Sequence, residues 1–214
     1  MLMKLGEIVE FWSQQRQNER GQWTHPADDP FFESAPHTFN LEFPVSPYVG
    51  DIVNAPIIIL GANAGYDPHL TPTEFPDRET IERYVARVAA PSTTDWSFVS
   101  EYYGGVNYGP MLADGRAALI NACPYRSPKI SAEPDNRRLL PRLPSTKFNR
   151  RWLLEAVVPV ARAKTRLIVA KRPGLWSLPA SLREEEGVVF DPAPISPQIT
   201  SGPWAIVQAT LRMR

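Results

Sequence analysis

The residues best suited to chemistry fall in a few short stretches. The most specific is Gly61-Ala62-Asn63-Ala64-Gly65, followed by Tyr66 and Asp67. Glycines on either side of one carboxamide let backbone approach a ligand closely and permit positive φ. Asn63 could then hold a water or grip a base edge, with Gly61, Ala62, Gly65 and Tyr66 lining the contact. Asp67 is the nearest carboxylate for acid–base work, so Asn63 and Asp67 are the candidate catalytic residues. Each also has a plainer role, since Asn and Asp commonly satisfy loop and turn backbone. The stretch lacks the Lys-Ser/Thr ending of a phosphate loop and the three-glycine dinucleotide fingerprint.

A second stretch is Cys123-Pro124-Tyr125-Arg126-Ser127. A guanidinium at a strand end suits a phosphate or carboxylate, and Lys171-Arg172 repeats that basic pattern further on. Tyr125, Arg126, Ser127 and Lys171 are therefore candidate binding residues, with a structural ion pair the alternative for the cations. Cys123 has no base identifiable beside it and reads as a buried thiol rather than a nucleophile. The irregular stretch 91–116 is rich in aromatics (Trp96, Phe98, Tyr102, Tyr103, Tyr108), and those at 102, 103 and 108 could sandwich a flat ring or simply pack their loop. Tyr103 and Tyr108 are taken as ligand-facing, as is Ser196 in the late loop with Gln198. His69 stands alone near these residues, and no Ser-His-Asp set can be assembled.

These residues need a scaffold, and the apolar pattern supplies one. Ile57 to Leu60 is continuously apolar, as a strand covered on both faces should be. The stretches 117–122, 167–170 and 188–190 read as three further buried strands. Helices are expected over 3–18 (Leu5, Ile8, Val9, Trp12), over 78–89 capped by Asp77, and over 147–163 capped by Ser145 or Thr146 and kinked at Pro159. A short helix is expected around 174–183. A final helix carries Pro203 in its first turn and Trp204, Val207 and Leu211 on its buried face. Strands alternating with helices predict an α/β fold with four parallel strands. Ligands in such sheets bind beyond the carboxyl ends of the strands. The loops 61–68, 123–128, 171–174 and 191–202 should therefore converge. Residues 21–54 alternate proline, aromatic and acidic residues without a period, and read as an ordered arm that covers the core or closes over the site.

The totals bound the possibilities. A chain of 214 residues, 43% hydrophobic and 21% charged, suits one domain (1–214) with an N-terminal helix and wrapping arm (1–54). Lys+Arg 23 against Asp+Glu 23 leaves no global basic field, so nucleic-acid contact would be local and weak. One cysteine and three histidines offer no disulfide framework and no tight metal spacing, and no cofactor is implied. Charges throughout residues 1–20 argue against a signal peptide. No apolar run approaches the roughly 20 residues that span a bilayer. A cytoplasmic protein with no membrane partner is expected.

The stretch Ile59-Leu60-Gly61-Ala62-Asn63-Ala64-Gly65-Tyr66-Asp67-Pro68 resembles the first motif of the uracil-DNA glycosylase superfamily, which reads Gly-x-Asn-Pro-Gly in its mismatch-type branches. Ala64 stands where those enzymes carry proline. The resemblance implies that Asn63 positions the hydrolytic water. It also implies a three-layer α/β/α sandwich on a four-stranded, mostly parallel sheet, in agreement with the pattern above. The loop Ala193-Pro194-Ile195-Ser196-Pro197-Gln198 resembles the second motif weakly, with Ser and Pro in reversed order and no histidine. Residues 56–211 also resemble a group of bacterial proteins that keep a Pro-Tyr-x-Ser segment after the second strand, here Pro124 to Ser127. The leading expectation is a glycosylase-like protein that binds a base, nucleoside or nucleotide and hydrolyses an N-glycosidic bond. The alternatives are a non-catalytic nucleotide or nucleic-acid binding module on the same fold, and a hydrolase or transferase for a small anionic metabolite.

Overall fold

The computed structural model describes residues 3–93, 95–96, 100–193 and 196–213. Phe98, Pro194 and Ile195, named above, lie outside the described residues. The first helix is shorter than its apolar stripe suggests, Glu7–Trp12. The chain then forms a two-stranded ribbon, β1 (Arg16–Gln17) and β2 (Trp23–Thr24), which turns at Gly21 with φ +72°.

The main sheet has five strands rather than the four expected. β3 (Tyr48–Val49), β4 (Ile57–Gly65), β5 (Ala117–Ser127), β6 (Leu167–Ala170) and β7 (Val188–Phe190) stand in the order β3-β5-β4-β6-β7. The last four are parallel, and β3 runs antiparallel on the β5 edge, Tyr48 opposite Ile120. The extra strand comes from the arm. Two residues are too few to show a period, so the sequence gives no strand signal there. Gly50 follows it at φ +91°, where a Cβ would lie 2.6 Å from the Ala117 carbonyl oxygen. Only glycine fits that close approach.

Continuous apolar strands bury both faces. Ile58, Leu60, Ile120 and Ile168 point into one core with the N-terminal helix, the arm and the helix that begins at Pro144. Ile57, Ile59, Leu119 and Val169 point into the other, with Tyr108, Met111 and Val207. Among the described residues no helix is long and apolar enough to cross a membrane.

The predicted loop after Leu60 is instead more strand. β4 continues through Asn63 to Gly65, paired with a β5 two residues longer. Asn63 pairs with Cys123 and Ala64 with Arg126, so Pro124 and Tyr125 bulge out of the ladder. Proline has no N–H to donate, and a bulge is where a strand tolerates one. Gly61 does not use positive φ. Its role is space, because a Cβ there would lie 2.7 Å from Asn121 Oδ1.

The Arg78–Ala89 helix starts as read, with Asp77 accepting the Thr80 N–H at 2.8 Å, and Val88 fully buried. The long helix is Pro144–Trp152, a π-helical turn at Leu153–Val157, then Val158–Arg162. The wider turn just before Pro159 accommodates its ring and missing N–H. Neither Ser145 nor Thr146 caps it. The Ser145 N–H donates to Asp28 Oδ1 at 3.0 Å, and the Tyr125 hydroxyl donates to Asp28 Oδ2 at 2.5 Å. Burial pushes the Asp28 carboxyl up, against the Ser145 and Tyr125 hydrogen bonds that pull it down. Asp28 thus ties the arm, the helix N-terminus and β5 together. Asp28→Ala should cost about 3 kcal/mol, from a lost cap and an orphaned phenol. Urea unfolding measures this, and a loss below about 1 kcal/mol would show the tie to be dispensable.

Candidate active site

The carboxyl ends of β4 and β5 open into a cleft of about 720 Å³. The chain after β4 builds its walls through the Leu70–Glu74 helix, Phe75, the Arg78–Ala89 helix, Trp96 and Tyr103. Ser46 and Val49 of the arm complete the rim, while Phe32, Phe39 and Tyr48 of the arm pack into the first core.

Asn63, Gly65, Tyr66 and Asp67 line this cleft together with Arg126 and Tyr103. The Asn63 amide is held at one end. Nδ2 donates to the Ser127 carbonyl at 2.9 Å, to the Ala64 carbonyl at 3.0 Å and to Ser127 Oγ at 3.2 Å. Two carbonyl acceptors fix which end of the amide is nitrogen. Oδ1 accepts no hydrogen bond from the described residues, which leaves an oriented acceptor on the cleft wall. Ser127 is fully buried and positions Asn63 rather than lining the cleft.

Arg126 is 6% exposed. Nε donates to the Pro44 carbonyl at 3.1 Å and Nη1 to the Gly65 carbonyl at 3.3 Å. Its guanidinium carbon sits 4.9 Å from the centre of the Phe75 ring. The structural ion pair that the sequence left open is not made, since no described acid lies within bridging distance of Arg126.

Asp67 is exposed, and its Oδ1 accepts the N–H groups of His69 at 2.8 Å and Leu70 at 3.0 Å. The Leu70 and His69 N–H groups hold its carboxyl below the usual range. That makes it a weak base. Glu74, the other carboxylate of the cleft, takes the Ser100 hydroxyl. Trp96 and Tyr103 are buried aromatic wall, and burial pushes the Tyr103 phenol up.

The other candidates sit elsewhere, which corrects the expected convergence of four strand ends. Gly61 and Ala62 lie further back on β4, where the Gly61 carbonyl accepts Trp176 Nε1 at 2.8 Å. That hydrogen bond ties the Pro173–Trp176 helix to β4. Tyr108 belongs to the second core, and burial pushes its phenol up. Tyr125 points into the first core, against Phe32 at 4.6 Å between ring centres. Burial also pushes the Cys123 thiol up. Ser196 makes a local turn, accepting the Gln198 N–H at 3.1 Å. Lys171 is buried against Asp191, Nζ to Oδ2 at 3.0 Å, and also donates to the Gln198 carbonyl. Thr200 and the Ala193 N–H complete the Asp191 shell. This cation is already neutralised.

Tyr84 and Phe75 were missed as site residues. The helical spacing of Tyr84 reads as core, and it does pack against the first core. Yet its hydroxyl is buried in the cleft wall without a hydrogen-bond partner. Burial pushes this phenol up, against the Arg126 charge and the neighbouring Ser46 hydroxyl, which pull it down. Among the described residues no three His, Cys, Asp or Glu side chains cluster as metal ligands would.

Fold and site define an α/β protein with a mostly parallel sheet and a ligand-sized cleft at its carboxyl end. No protein-family model, curated protein or solved structure matches the chain. The function is therefore argued from the cleft.

Lys171→Met should destabilise the fold by roughly 3–5 kcal/mol, because it leaves Asp191 buried and unpaired. Chemical denaturation reads this. A near-neutral change would mean that the pair does not hold the 191–200 loop.

Proposed function

We propose that the cleft binds a nucleobase-bearing ligand (a base, nucleoside or nucleotide) on a three-layer α/β/α sandwich of uracil-DNA glycosylase type. The observation that carries the reading is the Asn63 amide, clamped through Nδ2 with Oδ1 unpaired on the wall. An acceptor fixed before the ligand arrives recognises an N–H edge, or a water, without the cost of ordering a side chain. Trp96 and Tyr103 offer aromatic surface to a flat ring. A cavity of about 720 Å³ falls in the range of small-molecule sites. The Gly-x-Asn likeness of residues 61–65 supports the same assignment.

The reaction we propose is hydrolysis of an N-glycosidic bond, with Asn63 Oδ1 orienting the attacking water. Leaving-group departure generates an oxocarbenium-like state, so strong general-base help is not required. The weakly basic Asp67 at the rim would contribute negative charge. The second reading is a non-catalytic binding module. It is favoured by the engagement of both cleft carboxylates, Asp67 with backbone N–H groups and Glu74 with Ser100. Balanced net charge disfavours a tight duplex grip in either case.

Deoxyuridine binding and uracil release from single- and double-stranded DNA separate these readings. Asn63→Ala should weaken deoxyuridine by about tenfold, the usual effect of removing one buried hydrogen-bonding group. If the protein hydrolyses, the same change should abolish turnover. Binding without turnover on any substrate leaves the module. Unchanged binding in Asn63→Ala would end the base-recognition reading.

A further inference from the structure

We infer that the ligand carries an oxyanion, a phosphate or carboxylate, seated between the Arg126 guanidinium and the Tyr84 hydroxyl. The rest of the ligand rests on the nucleobase reading above; the anion seat does not. Arg126 is buried, and its hydrogen-bond acceptors are the neutral carbonyls of Pro44 and Gly65. They take two of its five N–H donors. The Phe75 ring under its face fixes the plane of the fork but neutralises no charge.

Tyr84 brings a second donor from a different element. Its hydroxyl is buried in the same wall and unpaired. An unpaired phenol and a guanidinium without an acid are each costly, and an oxyanion accepts from both while neutralising the charge. The acids of the cleft do not fill this role. Glu74 takes the Ser100 hydroxyl, Asp67 takes backbone N–H groups, and neither bridges Arg126. Arg83 and Arg87 on the same helix also line the cleft, with Arg83 3.8 Å from Glu79.

Calorimetric titration of the whole protein with inorganic phosphate, acetate, deoxyuridine and deoxyuridine 5′-monophosphate tests the seat. Phosphate or acetate should bind saturably at one site, and the stronger of the two names the anion. The monophosphate should bind at least about tenfold tighter than the nucleoside if the anion is phosphate, as charge-assisted hydrogen bonds require. Arg126→Gln should abolish anion binding. Tyr84→Phe removes one unpaired hydroxyl, so its unfolding temperature should hold or rise while anion affinity falls severalfold. If Arg126→Gln does not fold, Tyr84→Phe decides. Anion binding lost in these variants, with no nucleoside binding, keeps the seat and removes the nucleobase reading. Nucleoside and monophosphate binding equally, with no response to acetate, overturns the seat and leaves that reading intact. Wild-type anion affinity in both variants also overturns it.

Discussion

The cleft depends on β4 and β5 staying paired beyond the end of their apolar runs. There the two strands hold each other's functional side chains. Asn63 of β4 donates to the Ser127 carbonyl of β5, and Arg126 of β5 donates to the Gly65 carbonyl of β4. The Ser127 carbonyl also accepts the Tyr66 N–H at 3.2 Å, using its second lone pair. This reciprocal clamp fixes an acceptor and a cation on one wall before any ligand arrives. Pre-ordering of that kind is what a binding site needs from its scaffold.

The clamp is supported by the arm and the first core. Pro124 and Tyr125 bulge where the register shifts, and the bulge turns Tyr125 into the arm's core while Arg126 faces the cleft. Asp28 receives the Tyr125 hydroxyl, the Asn40 N–H donates to the Arg126 carbonyl at 2.9 Å, and the Pro44 carbonyl holds the Arg126 Nε. The arm therefore stabilises the site mainly from behind. Only its end, at Ser46 and Val49, reaches the rim.

What was legible in the residues follows from the range of the forces involved. Four strands showed because each carries a run of apolar residues, buried on both faces in β4, β5 and β6. The Asp77 cap showed because its partner, Thr80, is three residues away. β3 did not show, since a two-residue edge strand exists only through β5. The Asp28 cap did not show either, because its partner lies 117 residues on. Asn63 and Arg126 were legible by type and position, whereas the difference between Arg126 and Lys171 was not. Both are cations at strand ends, and only tertiary packing gives one an aspartate and the other a phenylalanine ring. Tyr84 was hidden because its helical spacing fits a core residue, and nothing local reveals an unpaired hydroxyl.

A co-crystal structure with deoxyuridine 5′-monophosphate most directly tests whether the β4–β5 clamp forms one pocket with two recognition ends. The expected result is the base edge within hydrogen-bond distance of Asn63 Oδ1 and the phosphate on Arg126 and the Tyr84 hydroxyl. Ligand bound away from the ends of β4 and β5, or an empty cleft at saturating concentration, would contradict it.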